Sequence, residues 1–406
     1  MGWQHWQLSL AKCGRLPMLC EEKSVSIGLS THSSHISGGN AALGKVASVF
    51  IHVSTAYSNS HLFNVEERFY PCEASCDELE RAVDKLTDEQ INKMLPTILG
   101  SWPNTYTFTK ALAEKELRAS AGNLPLGIFR PAIVTSTAKE PLVCWLDNMY
   151  GPTGVAVGTV TGILRTLQCD GAVTADIVPV DMVVNCLMVS AANVHKAYKQ
   201  SVPPSEPPIY NYVSSVENRI TWGEFMHHNL SAIENNPFSN AVWYVSLTLH
   251  RSAFMNQLYI IFLHLLPGAL VDGLAVCLGR KPKMLKVYRK IHKFSSVLSY
   301  FCTREIKFCN RNVRELWDRT SEQDKQLFPF SMAEVSWEAY FKEYLVGIRR
   351  YLFKDSDDTL PQARIKWKST IRAADALPAL PEKVHSLFEG SHIVVSRKTL
   401  VRQTVP

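Results

Sequence analysis

In NTYTFTKALAEKEL (104–117), Tyr106 and Lys110 stand four residues apart within a run of good helix formers. On a helix that spacing puts both side chains one turn apart on the same face. An ammonium beside a phenol favours the phenolate, so Tyr106 becomes a usable acid near neutral pH, and the amine can also hold a ribose hydroxyl. Any solvated helix face can carry the same two residues, so the pair needs company. Upstream, FIHVST (50–55) ends in Ser54 and Thr55, and a hydroxyl from either could orient a carbonyl and steady an oxyanion. Downstream, GIFRPAIVTS (127–136) carries Arg130-Pro131 inside another apolar run. Together these positions suit proton transfer to a carbonyl substrate.

The elements that must hold them can be read from periodicity. KVASVFIHVST (45–55) has the β-branched, continuously apolar character of a strand buried on both faces. LTDEQINKMLPTILG (86–100) reads as a helical stretch broken at Pro96. TYTFTKALAEKELRAS reads as a helix ended near Gly122. LPLGIFRPAIVTS (124–136) is the next strand, interrupted at Arg130-Pro131. ADIVPVDMVVNCLMVSAANV (175–194) predicts a short strand and then an Asp-headed apolar helix. This alternation predicts an α/β domain with a doubly wound, Rossmann-like parallel sheet.

Composition sets the frame. A chain of 406 residues, 46% hydrophobic and 20% charged, suits two or three packed domains rather than disorder. Its ten cysteines form no paired framework, and Cys72 and Cys76 have no partner pair at zinc-like spacing. They read as reduced thiols facing the cytosol, and no metal is expected. The N-terminus, MGWQHWQLSLAKCGRLPMLCEEK, is too interrupted by polar residues for a secretory signal, and residues 24–40 read as a flexible Ser/Gly/His-rich stretch.

Four segments carry a family resemblance: FIHVSTAYSNS (50–60), YTFTK (106–110), GIFRPAIVTSTAKEPLVCWLDNMYGPTG (127–154) and ADIVPVDMVVNCLM (175–188). In this order they resemble the fatty acyl-CoA reductases, alcohol-forming members of the extended short-chain dehydrogenase/reductase group. The likeness runs from about residue 46 to 215 and resumes over roughly 220–355 in a helical C-terminal domain. It implies that Tyr106 and Lys110 are the catalytic pair and also touch the cofactor. It further implies that Thr55 or its neighbour Ser54 is the hydroxyl, and that Arg130 and Pro131 lie beside the nicotinamide. The implied reaction is NADPH-dependent reduction of a long-chain fatty acyl-CoA, through an aldehyde, to the primary alcohol.

The family's cofactor loop is a Thr-Gly-x-x-Gly-x-x-Gly turn after the first strand, where backbone amides meet a pyrophosphate. SGGNAALGKV (37–46) has the wrong spacing and no strand before it. YGPTGVAVGTVTG (150–162) follows the catalytic helix and reads as a flexible loop near the substrate mouth. A βαβ unit takes about 30 residues or more, and only 52 residues precede Val53. The sheet is therefore expected to be N-terminally incomplete, and this chain to bind NADPH poorly or not at all.

In the second half, VPPSEPPIYN (202–211) reads as a Pro-rich linker, and Thr221 with Glu224 as a capping box opening a helix. LYIIFLHLLPGALVDGLAVCL (258–278) approaches spanning length but contains His264, Pro267 and Asp272. GRKPKMLKVYRKIHKF (279–294) follows with seven cations and no acid. Three readings compete for this pair: a segment resting on an anionic cytosolic leaflet, a cationic seat for coenzyme A phosphates, or a buried helix pair beside a solvated basic helix. Nucleic acid is a poor fit. SMAEVSWEAYFKEYLVGIRRYLFK (331–354) reads as a helix capped by Ser331 and Glu334 whose aromatic stripe belongs to the core.

The domain reading is an irregular 1–45, a partial Rossmann-like domain at 46–218, a helical domain at 219–355 whose membrane-facing segment is 258–294, and an irregular tail at 356–406. The functional expectation is a membrane-associated, cytosol-facing reductase at the endoplasmic reticulum or peroxisome. Alternatives are a catalytically impaired acyl-chain-binding protein and a related reductase acting on a sugar or steroid. A homo-oligomer is left open.

Overall fold

A computed structural model describes residues 26–28, 49–200, 204–376 and 394–395. The glycines at 38, 39 and 44, and most of the Ser/Gly/His-rich stretch, lie outside the described residues. The described chain divides into two units that are not consecutive stretches. One takes residues up to Val134, Met182–Val216 and Ile306–Met332; the other takes Thr135–Asp181, Glu217–Glu305 and the residues from Ala333 onward. The expected boundary at 218 is thus one of several crossings rather than a single division.

The first unit is built on a four-stranded sheet. Phe50–Val53, Leu126–Pro131 and Ile209–Tyr212 run parallel, with Leu126–Pro131 in the middle, and Ser26–Gly28 pairs antiparallel with Phe50–Val53. Every residue of Leu126–Pro131 is buried, as expected of a strand covered on both faces. Gly127 is a position of close approach: a Cβ there would lie 2.8 Å from both the Ile51 side chain and Val194 on the helix Val180–Tyr198. Ile209–Tyr212 corrects the linker expected at 202–211. The prolines end at 208, and IYNY then forms a fully buried strand in register with Ile128–Pro131. Pro96 lies inside an unbroken helix, Asp88–Leu99, opened by a Thr87–Gln90 capping box. Proline near a helix C-terminus still forfeits a bond, but here the next turn carries on to the Gly100 cap.

The second unit packs helices around a small sheet in which Thr166–Gln168 and Leu247–His250 are parallel and Val394–Val395 adds an antiparallel pair. Its aromatic core joins Trp222–Ile233 to Trp337–Gly347, where Phe225 and Phe341 meet edge to face at 5.2 Å. The Thr221–Glu224 capping box forms as expected. At the second helix the expected cap moves: Ser336, not Ser331, accepts from the helix N-terminus, at Ala339. The tail is less irregular than its sequence suggests, since Leu360–Ala376 is helical.

The largest correction falls on 150–162. Gly151–Val160 is a helix with Pro152 in its first turn and seven buried residues, not a flexible loop. Its glycines permit close packing: a Cβ on Gly154 would collide with the Met149 carbonyl oxygen, and one on Gly158 would lie 2.9 Å from Leu164. Apolar character all round a helix marks a buried one.

Candidate active site

All the candidate residues fall in the first unit, at the carboxyl ends of its parallel strands, where open α/β sheets bind ligands. Phe50–Val53 runs directly into Ser54 and Thr55, and the Ser54 N–H donates to the Phe129 carbonyl at 2.7 Å, extending the ladder by one rung. Thr55 then turns the chain. Its hydroxyl oxygen accepts from the Tyr57 N–H at 3.3 Å and caps the short helix Ala56–Asn59. The Thr55 proton reaches toward the Pro131 carbonyl only at a long 3.5 Å.

The helix Thr105–Ser120 lies over this turn. Asn104 caps it, accepting from the Thr107 N–H at 2.9 Å, and Phe108, Ala111 and Leu112 seat it in the core. Trp102, just before the helix, donates its indole N–H to the Ser58 carbonyl at 2.8 Å and meets Phe108 edge to face. With its start anchored on the 56–59 turn, the helix presents Tyr106 and Lys110 beside the strand end. The Lys110 ammonium sits 6.0 Å from the centre of the Tyr106 ring and donates to the Val53 carbonyl at 3.1 Å. Both side chains are half-buried. The structure therefore brings together Tyr106, Lys110 and the Ser54-Thr55 turn.

One more turn along the helix stands a residue that the sequence reading missed. Glu114 is buried, and its carboxylate takes two bonds from the Arg130 guanidinium, at 3.0 and 2.5 Å. Ser54 donates its hydroxyl proton to the same carboxylate. Arg130 also donates to the carbonyls of Glu66 and Arg68, each at 3.1 Å, and has no exposed surface. The Arg130 guanidinium is thus spent on an interior ion pair, and only the backbone of the Arg130-Pro131 step is left to face a cofactor. Ser54 is drawn into the same interior group, which leaves Thr55 as the hydroxyl with the less firmly held proton. The signal for Glu114 was present, because Tyr106, Lys110 and Glu114 follow at steps of four on one helix face.

His52 was also passed over. It is buried in the strand before Ser54, and its Nε2 has no hydrogen-bond partner. Burial, reinforced by the charge of Lys110, lowers its pKa to about 4, so it is neutral at physiological pH.

The fit to a dinucleotide is partial. Tyr106, Lys110 and Thr55 suit its reactive nicotinamide end. The glycines described in this unit serve other purposes: Gly100 and Gly122 end helices or turns with φ of +56° and +52°, and Gly28 and Gly127 belong to strands. Among the described residues of this unit, no glycine occupies a strand-to-helix turn suited to a pyrophosphate.

A parallel sheet with a Tyr-x-x-x-Lys helix laid against a Ser-Thr strand end defines a site of the short-chain reductase kind. Family models described as "Male sterility protein" match residues 40–187, with an NAD-binding model, and residues 263–355. The chain is 40% identical over 313 residues to "Fatty acyl-CoA reductase wat" of Drosophila melanogaster, covering 77% of this chain and 60% of that protein. It is 33% identical over 320 residues to "Fatty acyl-CoA reductase 1" of Xenopus laevis, covering 79% and 61%. With "Fatty acyl-CoA reductase 2" of Homo sapiens it shares 29% over 357 residues, covering 87% and 66%. The chain belongs to the fatty acyl-CoA reductase family of the extended short-chain dehydrogenase/reductase group. It spans between 60% and 66% of the length of these relatives. The NAD-binding match over the sheet points to a nicotinamide cofactor.

Proposed function

We propose that the site reduces a long-chain fatty acyl-CoA, through the aldehyde, to the primary alcohol, with NADPH as reductant, at a cytosol-facing membrane surface. The observation that carries this reading is the Lys110–Val53 bond, which fixes Tyr106 and Lys110 beside the Ser54-Thr55 strand end. Two NADPH, bound in turn, would each supply one hydride: after the first, the carbon–sulfur bond breaks and coenzyme A leaves as its thiol, giving the aldehyde, and the second takes the aldehyde to the alcohol. Thr55 would direct its hydroxyl at the substrate carbonyl, exchanging the long contact to Pro131 for a shorter bond to the developing oxyanion. Tyr106 would give its proton to that oxygen, and the Lys110 charge would steady the phenolate left behind. Lys110 and Tyr106 would also hold the ribose of the cofactor.

The test uses the full 406-residue chain with palmitoyl-CoA and millimolar NADPH, following hexadecanal and hexadecanol by mass spectrometry. Tyr106→Phe should lower product formation about 10²–10⁴-fold, the usual worth of a positioned acid, while leaving palmitoyl-CoA binding unchanged. Retained turnover would remove Tyr106 from its role, and no product from the unaltered chain would overturn the reading. The partial fit also sets an expectation of weak cofactor binding, and micromolar affinity for NADPH by calorimetry would contradict it.

A further inference from the structure

The helix Ala253–Cys277 is long and apolar enough to cross a membrane, yet its polarity runs inside out. Phe262, Leu266, Leu270 and Leu274 recur every four residues and are exposed, with 64%, 50%, 75% and 62% of their surface open. His264, Gly268 and Asp272 also recur every four residues and are buried. The two series are offset by two residues, about 200° around a helix, so the polar groups face the protein and the leucines face outward. Packed domains place them the other way round.

The buried stripe rests on the helix Met284–Cys302, which runs antiparallel beside it. His264 Nδ1 lies 3.0 Å from His292 Nε2. Gly268 packs so tightly on the Tyr288 ring that a Cβ would lie 3.0 Å from it. The Asp272 carboxylate accepts from the backbone N–H groups of Lys283, Met284 and Leu285 at 2.8–2.9 Å. These rungs fix the level of the exposed cations Lys286, Arg289, Lys290 and Lys293: they lie alongside residues 263–271. If the apolar helix crossed a bilayer, its partner would carry those four charges into the hydrocarbon. Laid flat, the same hairpin puts leucines among the acyl chains and cations among headgroup phosphates.

We propose that Ala253–Cys302 is an in-plane membrane-binding hairpin that docks on an anionic phospholipid surface without crossing it. This rests on the membrane part of the function proposed above and names the element and lipid chemistry responsible. The tip of the hairpin supports a lipid occupant. A recess of about 460 Å³ there has an apolar wall of Val271, Ala275 and Met284, a cationic rim of Arg280, Lys281 and Lys283, and Asp272, whose carboxylate is taken up by the backbone N–H groups of residues 283–285. A second copy of the chain on this face would set cations against cations.

The test is flotation of the full chain with vesicles of phosphatidylcholine and phosphatidylserine. The chain should float with these, not with phosphatidylcholine alone, and should be released by alkaline carbonate. Each cation near an anionic surface is worth about 1 kcal/mol, so Lys286→Gln with Lys290→Gln should lower partitioning about 25-fold. Leu270→Asp with Leu274→Asp should abolish it, and because both positions are exposed the variant should melt like the parent. If the parent floats and the leucine variant floats equally, attachment lies elsewhere and the hairpin proposal alone fails. Resistance to carbonate would show a crossing segment, and release by millimolar coenzyme A would assign the cations to that nucleotide; either overturns it. If the parent does not float, the membrane part of the proposed function falls too, while product formation from palmitoyl-CoA still reports on the chemistry.

Discussion

Glu114→Gln tests the most demanding arrangement in the structure. The Arg130 guanidinium has no contact with solvent, and Glu114 is the only carboxylate bonded to it among the described contacts. Glutamine keeps one acceptor oxygen, but it removes the neutralising charge and turns an amide donor toward a guanidinium donor. Breaking a buried ion pair by removing one partner costs about 3–5 kcal/mol. For a unit of this size each kcal/mol lowers the melting temperature by about 2–4 °C, so the expected fall is roughly 6–20 °C. Arg130→Met alone should also be costly, because it strands the Glu114 carboxylate and leaves the Glu66 and Arg68 carbonyls without their donor. Glu114→Leu with Arg130→Met should be less damaging than the two single changes together, with a coupling of about 2–3 kcal/mol. Urea melts of the four proteins give the cycle. A Glu114→Gln cost below about 1 kcal/mol, or additivity within about 0.5 kcal/mol, would refute the view that the pair anchors the site helix to the sheet.

Three further outcomes concern pH and packing. His52 has a folded pKa of about 4 against an ordinary 6.5, so between those values the unfolded chain binds a proton that the folded chain refuses. Stability should therefore rise from pH 4 to 6.5 by about 3 kcal/mol from this group, and His52→Phe should flatten that limb in melts across pH. Glu67 opposes it: desolvation raises its pKa to about 7, so stability from that group falls as pH rises from 4.5 to 7, and Glu67→Gln should unmask the His52 slope. Gly154→Ala would ordinarily favour a helix, but the added Cβ meets the Met149 carbonyl. The net loss should be about 1–3 kcal/mol by calorimetry.

The sheet and the site helix were legible because their signals are local. Continuous β-branched runs end in Ser54-Thr55, and strong helix formers follow Asn104. The Tyr340 and Tyr344 stripe was legible as core for the same reason, and both residues are buried. Elements whose form depends on distant neighbours were not legible. Gly151–Val160 looks like a loop until Phe294 packs on Gly154 and the Tyr344 hydroxyl meets Thr153 at 2.7 Å, and Ile209–Tyr212 looks like linker until Leu126–Pro131 offers it a ladder. The role of Arg130 turned on Glu114, a partner in a different element. The family's motif located that strand correctly while leaving open which of its atoms a ligand would meet. The interleaving of the two units leaves no trace in composition at all.

That interleaving has a consequence during synthesis. The strand Ile209–Tyr212 is held by Asn312, whose side-chain amide donates to the Ile209 carbonyl at 2.7 Å, and Asn211 donates to the Cys309 carbonyl at 2.8 Å. At about 5–20 residues per second, the roughly 200 residues between Val134 and Met332 take about 10–40 s to emerge. Throughout that interval Tyr106 and Lys110 already exist on the nascent chain, while the last members of their own unit are still in the ribosome. An unfinished parallel sheet with an open edge is a chaperone client. The order in which the chain is made therefore leaves Tyr106 and Lys110 waiting on Ile306–Met332, the last segment of their own unit.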